Sequence, residues 1–258
     1  MGRAEKQFIE RRMTHGSLFT GIGGFDLGFE WAGIKTIWQV EIDEFCRQLL
    51  ELRFPGARRY ADIRQVNPAS LRGVDIVSGG FPCQDISVAG KHAGISGDRS
   101  GLWSEYFRII RSLRPKFVVV ENSSNLLSEG AGRILRDLAS VGYDAQWSTI
   151  PACSLGAPHT RSRVFIVAYP DSFDGEAWMG SVEKWQEQVC QGNLRLRLPV
   201  WLQAASRFIG VDDGVRGRLY RSRVTALGNS VVPQIAYLIG RLIMECEPCQ
   251  RYEEACDV

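Results

Sequence analysis

Three groups of side chains in this sequence can do covalent or proton chemistry. Cys83 lies in Gly79-Gly80-Phe81-Pro82-Cys83-Gln84, directly after the apolar run Val74–Ser78. Proline fixes its own φ, so the thiol is carried on a stiff dipeptide where a strand runs out. A lone cysteine is most often an inert small hydrophobe. Here the following stretch, 84–101, is long, polar and glycine-rich, as active-site loops often are, and a thiolate beside it is a nucleophile. Glu121 closes the apolar run Phe117–Val120. A carboxyl group ending a buried strand tends to hold its proton and suits proton donation; a strand-end cap is the equally plain reading. Arg161 and Arg163, in His159-Thr160-Arg161-Ser162-Arg163, share a face by strand alternation. They are either surface arginines or a pair reaching toward an anion.

A fourth group is suited to binding. The turn Ser17-Leu18-Phe19-Thr20-Gly21-Ile22-Gly23-Gly24-Phe25-Asp26-Leu27-Gly28 lets a ligand approach the backbone at a helix N-terminus. It is not a dinucleotide fingerprint, because Asp26 stands where the third glycine belongs. Glu41 follows about 20 residues on, where a carboxylate can grip ribose hydroxyls. Asp62, in Ala61-Asp62-Ile63, sits where a third strand presents an acceptor to an adenine amino group. Close helix packing is the alternative explanation of the glycines.

These groups need a scaffold, and the pattern supplies one. Strand-like runs at Ser17–Thr20, Thr36–Ile42, Val74–Ser78, Phe117–Glu121, Ala145–Ile150 and Arg163–Ala168 alternate with helical patterns. The helices are expected at Phe25–Trp31, Asp43–Phe54, Gly101–Leu113 and Arg133–Val141, with Pro115 stopping the third. Such alternation predicts an α/β sheet, mainly parallel, with functional loops at its carboxyl edge. After Pro170 it breaks down. Residues 171–190 carry five acidic side chains and one lysine; residues 191–223 carry seven arginines against Asp212 and Asp213. The run Val231–Cys246 then reads as an amphipathic helix, with Pro233 allowed in its first turn.

Composition narrows the class. The chain has 258 residues, 45% hydrophobic, with a net charge of +2, which names no partner by bulk electrostatics. Its seven cysteines are scattered and odd in number, unlike a disulfide framework, which favours a reducing compartment. No apolar run approaches the roughly 18 residues of a membrane span. The tail cysteines Cys246, Cys249 and Cys256 resemble half a zinc site without an evident fourth ligand, and no metal is expected.

Taken in order, Gly21/Gly23/Gly24, Pro82-Cys83-Gln84, Glu121-Asn122, Arg161-x-Arg163 and Gly228-Asn229-Ser230-Val231-Val232-Pro233 form a pattern. From Ser17 to Met244 the chain resembles the DNA (cytosine-5)-methyltransferases of the bacterial and phage type. The resemblance implies an α/β, Rossmann-like S-adenosylmethionine-dependent methyltransferase sheet, mostly parallel with one antiparallel strand, and a small target-recognition insert. It divides the chain into an extension (1–14), a catalytic and cofactor-binding core (15–170), a recognition region (171–222), a returning helix (223–246) and a tail (247–258).

The same resemblance assigns roles. Cys83 would be the nucleophile, Glu121 the proton donor to the cytosine ring, and Arg163 with Arg161 would orient the ring and offset charge. The cofactor S-adenosyl-L-methionine would be wrapped by Phe19, Gly21, Gly23 and Gly24, with Glu41 on the ribose and Asp62 and Ile63 on the adenine. Phe81, Leu102, Asn229, Ser230 and Val231 would complete its pocket. The implied partner is double-stranded DNA, acted on by a cytoplasmic monomer of a restriction-modification, orphan or phage system. Departures from the family are Ser17 for the acid usual before Leu-Phe, Ile42 for a stacking aromatic, Ser123 for valine and His159 for glutamine. The short recognition segment implies a short or relaxed target sequence. A transfer-RNA cytosine methyltransferase and a non-catalytic DNA-binding relative are the alternatives; a dehydrogenase is disfavoured, since its third glycine is missing.

Overall fold

The computed structural model describes residues 12–82, 101–155, 160–173, 175, 178–183 and 225–246. Cys83, His159 and the arginine-rich run 195–223 lie outside the described residues.

Seven strands form one sheet in the order β3-β2-β1-β4-β5-β7-β6. They are β1 (Thr14–Leu18), β2 (Lys35–Val40), β3 (Arg58–Tyr60), β4 (Ile76–Gly79), β5 (Phe117–Ser123), β6 (Tyr143–Pro151) and β7 (Ser162–Pro170). β1 through β5 pair in parallel, and β7 is antiparallel to both its neighbours, so it alone runs backwards. The mainly parallel α/β sheet is the one expected from the alternation of runs, and the antiparallel strand is the one that the resemblance implies. The helices are α1 (Gly24–Trp31), α2 (Glu44–Arg53), α3 (Gly101–Leu113), α4 (Leu126–Glu129), α5 (Ala131–Ala139) and α6 (Pro233–Cys246).

Both faces of the sheet are covered, which is why its central strands read as continuous apolar runs. In β5, Val118 and Val120 enter the cluster formed with Trp103, Tyr106, Ile109 and Ile110 of α3. Phe117 and Val119 enter the opposite cluster with Phe25 and Phe29 of α1 and Ile235, Ile239 and Ile243 of α6. Period-two alternation therefore sends Glu121 toward the α1/α6 face and Asn122 toward the α3 face.

The last helix packs beside the first. A Cβ on Gly28 would stand 2.3 Å from the Pro233 carbonyl oxygen and 2.6 Å from Ala236 Cβ, so the two backbones meet where a side chain cannot fit. The same packing sets Ser230 and Val231 against Gly24 of the β1–α1 turn.

Two strands escaped the sequence pattern for opposite reasons. β1 begins at Thr14, ahead of the expected Ser17, because its start looks polar. His15 is nonetheless fully buried, its Nδ1 2.9 Å from Thr36 Oγ1 and its Nε2 2.7 Å from Ser78 Oγ. Burial pushes this imidazole down to about 3, so it stays neutral and ties β1 to β2 and β4. β3 is a three-residue edge strand, Arg-Arg-Tyr, whose charges protect an open edge. Its Arg59 donates to the Phe54 carbonyl at 2.9 Å, closing the end of α2.

Candidate active site

Sheet order reverses between β1 and β4, which are adjacent in space but separated in the chain by β2 and β3. In open α/β sheets the crevice beyond the carboxyl ends of such strands is where ligands bind. The β1–α1 turn and the Gly79–Pro82 segment flank it here.

The turn after β1 is tightly wound. Phe19 has φ 52, and Gly21 and Gly23 have φ 57 and φ 86. A left-handed aromatic residue is unusual and strained, so the surroundings must hold it. They do: the Phe19 ring packs on the α3 side, 6.2 Å from that of Tyr106. The Glu41 carboxylate fixes the other side, accepting from Gly21 N–H at 2.6 Å and from Asp43 N–H at 2.8 Å. Gly24 abuts the 229–231 segment; a Cβ there would stand 2.3 Å from the Val231 carbonyl oxygen. Beneath the turn, fully buried Asp26 accepts from Ser17 Oγ at 3.1 Å and from Gln39 Nε2 at 2.8 Å. Burial raises its carboxyl to about 6 despite these donors. The residue that breaks the dinucleotide fingerprint is thus a strut between α1, β1 and β2.

Asp62 caps the short turn Ile63–Gln65 after β3. Ile63 is buried, and Arg108 of α3 donates to the Ile63 carbonyl at 2.9 Å and the Val66 carbonyl at 2.9 Å, pinning this loop to α3. Leu102 lies in the first turn of the same helix, half-buried.

At the end of β5, Glu121 is 7% exposed and pairs with Arg163 of β7, whose Nε lies 3.1 Å from its Oε1. Among the described residues, the buried Oε1 has no aligned hydrogen-bond donor. Burial raises the Glu121 carboxyl above its ordinary range; Arg163 and then Arg161 pull it back. Arg161, half-buried, keeps its Nε without a partner among the described residues, and burial and Arg163 lower its own pKa. A buried carboxyl group whose affinity for its proton is raised can donate to a base, and two cations beside it can stabilise charge forming there.

The neighbouring strand leads to the cysteine. Phe81 is buried, its ring 5.8 Å from Trp103, while Pro82 is exposed. Asn122 Nδ2 donates to the Phe81 carbonyl at 3.2 Å and its Oδ1 accepts from Ser123 N–H at 2.8 Å. The segment before Cys83 is therefore tied to the strand that carries Glu121. Gly80 is needed at the same place, since a Cβ there would stand 2.5 Å from Glu121 Oε2.

The structure thus brings Phe19, Gly21, Gly23, Gly24, Glu41, Asp62, Ile63, Phe81, Leu102, Asn229, Ser230 and Val231 to one edge of the sheet, around the carboxyl ends of β1 to β4. Glu121, Arg161 and Arg163 come together one strand further on. The sequence reading did not assign Asn122, Gly80 or Asp26 a function. Asn122 had a signal, standing next to Glu121 in an alternating strand and so on its opposite face. Gly80 and Asp26 had none without the third dimension. No three described residues form a metal-ligand cluster, and no helix among them is long and apolar enough to cross a membrane.

The family model for the C-5 cytosine-specific DNA methylase matches residues 13–195. Among curated relatives, the Type II methyltransferase M.NgoBI of Neisseria gonorrhoeae is 34% identical over 159 residues, covering 60% of this chain and 50% of the relative. M.HhaI of Haemophilus parahaemolyticus is 32% identical over 156 residues, covering 59% and 47%. The chain spans about half the length of these relatives. A solved prophage-encoded E. coli protein, assigned as a DNA modification methyltransferase, superposes with TM-score 0.53 at 26% identity, covering 64% of this chain and 50% of that one. The Dnmt2 methyltransferase of S. pombe shares the fold at TM-score 0.55 and 17% identity, covering 63% and 52%. The architecture is the Rossmann-like sheet of S-adenosylmethionine-dependent methyltransferases. By the extent of its match and the order of its motifs, the chain belongs to the C-5 cytosine-specific DNA methylase family.

Proposed function

We propose that the protein is a DNA cytosine-5 methyltransferase using S-adenosylmethionine. The observation that carries this reading is the pair of buried Glu121 with half-buried Arg163, standing next to a Phe81-Pro82 segment anchored by Asn122. Two adjacent strands thus present a buried carboxyl group and a cation beside the peptide that leads to Cys83.

The residues fit the cofactor. The glycine turn leaves backbone open at Gly21, where a Cβ would meet nothing within 4 Å, and Glu41 and Asp62 are carboxylates suited to hydroxyl and amino donors. Phe19, Gly21, Gly23, Phe81, Leu102, Asn229 and Ser230 would complete that site. When bound, S-adenosylmethionine supplies an electrophilic methyl group.

The chain's own residues make the acceptor reactive. Carbon 5 of cytosine is a poor nucleophile until a thiolate adds to carbon 6. Cys83 supplies that thiolate, and Glu121 gives a proton to ring nitrogen 3 as charge develops. Arg163, supported by Arg161, orients the ring through its carbonyl oxygen and offsets the charge. After transfer, a water-borne base takes the carbon 5 proton and the Cys83 thiolate is expelled. Carbon 6 is hidden in a duplex, so the target base must leave the stack at a cost of about a few kcal/mol.

Equal concentrations of unmethylated duplex DNA and unmodified transfer RNA, offered together with tritiated S-adenosylmethionine, test the acceptor class. Label is expected in the DNA; label confined to the RNA would overturn the acceptor assignment.

A further inference from the structure

We propose that Arg64 is a positioning residue for the cofactor's adenine. It locks the Asp62 carboxylate into one orientation, leaving a single acceptor position for the exocyclic amino group. The proposal rests on the S-adenosylmethionine reading above and goes beyond it, because it names what selects the base.

Arg64 holds Asp62 from two directions. Its backbone N–H donates to Oδ1 at 3.0 Å; its Nε lies 3.0 Å from Oδ1 and 3.1 Å from Oδ2, and its Nη2 donates to Oδ2 at 2.7 Å. A carboxylate offers about four lone-pair positions. Three N–H donors, with Nε shared between the two oxygens, take three of these positions and leave one. An exposed ion pair between loose side chains fixes little. Here the fork is planar and bidentate, and the backbone beneath it is pinned by Arg108 through the Ile63 and Val66 carbonyls. The ends of the pair also differ: the Arg64 side chain is 62% exposed and that of Asp62 15%. Arg64 can therefore be removed without opening the core.

Orientation is half of the effect, and charge is the other. The hydrogen bond from Arg64 is the main cause that holds the Asp62 carboxyl below its ordinary range. An ionised carboxylate only accepts hydrogen bonds, so it suits an amino group and repels a carbonyl oxygen at the same place. The pair should therefore select adenine over hypoxanthine, which differ there by amino against oxo.

The test is calorimetric titration of the full chain with S-adenosylhomocysteine and with S-inosylhomocysteine. The wild type is expected to prefer the adenosyl ligand by about tenfold or more. Arg64→Ala should lose about tenfold in adenosyl affinity and little in inosyl affinity, so that the preference collapses. Arg64→Lys restores the charge without the fork and should recover part of the loss. A wild-type preference in Arg64→Ala, or equal weakening of both ligands, would overturn the proposal. Binding of neither ligand by the wild type would overturn the cofactor reading, and this proposal with it.

Discussion

Replacing Glu121 by glutamine is expected to slow single-turnover methyl transfer by about 10²–10⁴-fold, with cofactor affinity unchanged. Glutamine keeps the shape and a hydrogen-bond donor but has no proton to deliver. The pH profile separates this role from a packing role. Burial holds the Glu121 proton to a higher pH than an exposed carboxyl would, with Arg163 and Arg161 opposing. The active form is the protonated one, so the wild-type rate should fall as pH rises through that raised value. Glu121→Gln should lose this limb. Removing the cation in Arg163→Ala should move the limb to higher pH, because Arg163 favours the ionised form. A limb that survives in Glu121→Gln would assign the proton to another group.

Gly24→Ala carries the second large effect, on binding. Its methyl group would stand 2.3 Å from the Val231 carbonyl oxygen and 2.9 Å from Ser230 Oγ, so the 229–231 segment must move off the turn. Overpacking of this kind costs about 1–3 kcal/mol. If that cost falls on the cofactor pocket, S-adenosylmethionine should bind about 10- to 100-fold more weakly. Gly132→Ala on α5, where a Cβ meets nothing within 4 Å, is the matched control and should bind as the wild type does. Equal affinity in Gly24→Ala would place the 229–231 segment outside the pocket.

The fold was legible where periodicity and burial agree. β5 reads as a strand because Phe117 to Val120 serve two cores at once, and α3 because Tyr106, Ile109 and Ile110 line one face. β1 and β3 were mislaid or missed because their residues are polar for reasons that only neighbours reveal. His15 needs Thr36 and Ser78, Gly16 yields its space to the Trp38 indole, and Arg59 serves the end of α2.

The candidate site divides in the same way. Residue types that announce chemistry, such as Glu121, Arg161 and Arg163, stood out in the sequence and converge in space. Residues that only position others did not. Asn122 acts through the Phe81 carbonyl, Gly80 by leaving room for Glu121, and Asp26 by bracing Ser17 and Gln39. Long-range contacts of this sort carry no local signature.

The most direct test is transfer of a tritiated methyl group from S-adenosylmethionine to unmethylated genomic DNA, with Cys83→Ala assayed in parallel. Incorporation into cytosine carbon 5 is expected from the wild type and none from the mutant. Incorporation that survives in Cys83→Ala would contradict the Cys83 mechanism, because addition to carbon 6 would then need another nucleophile.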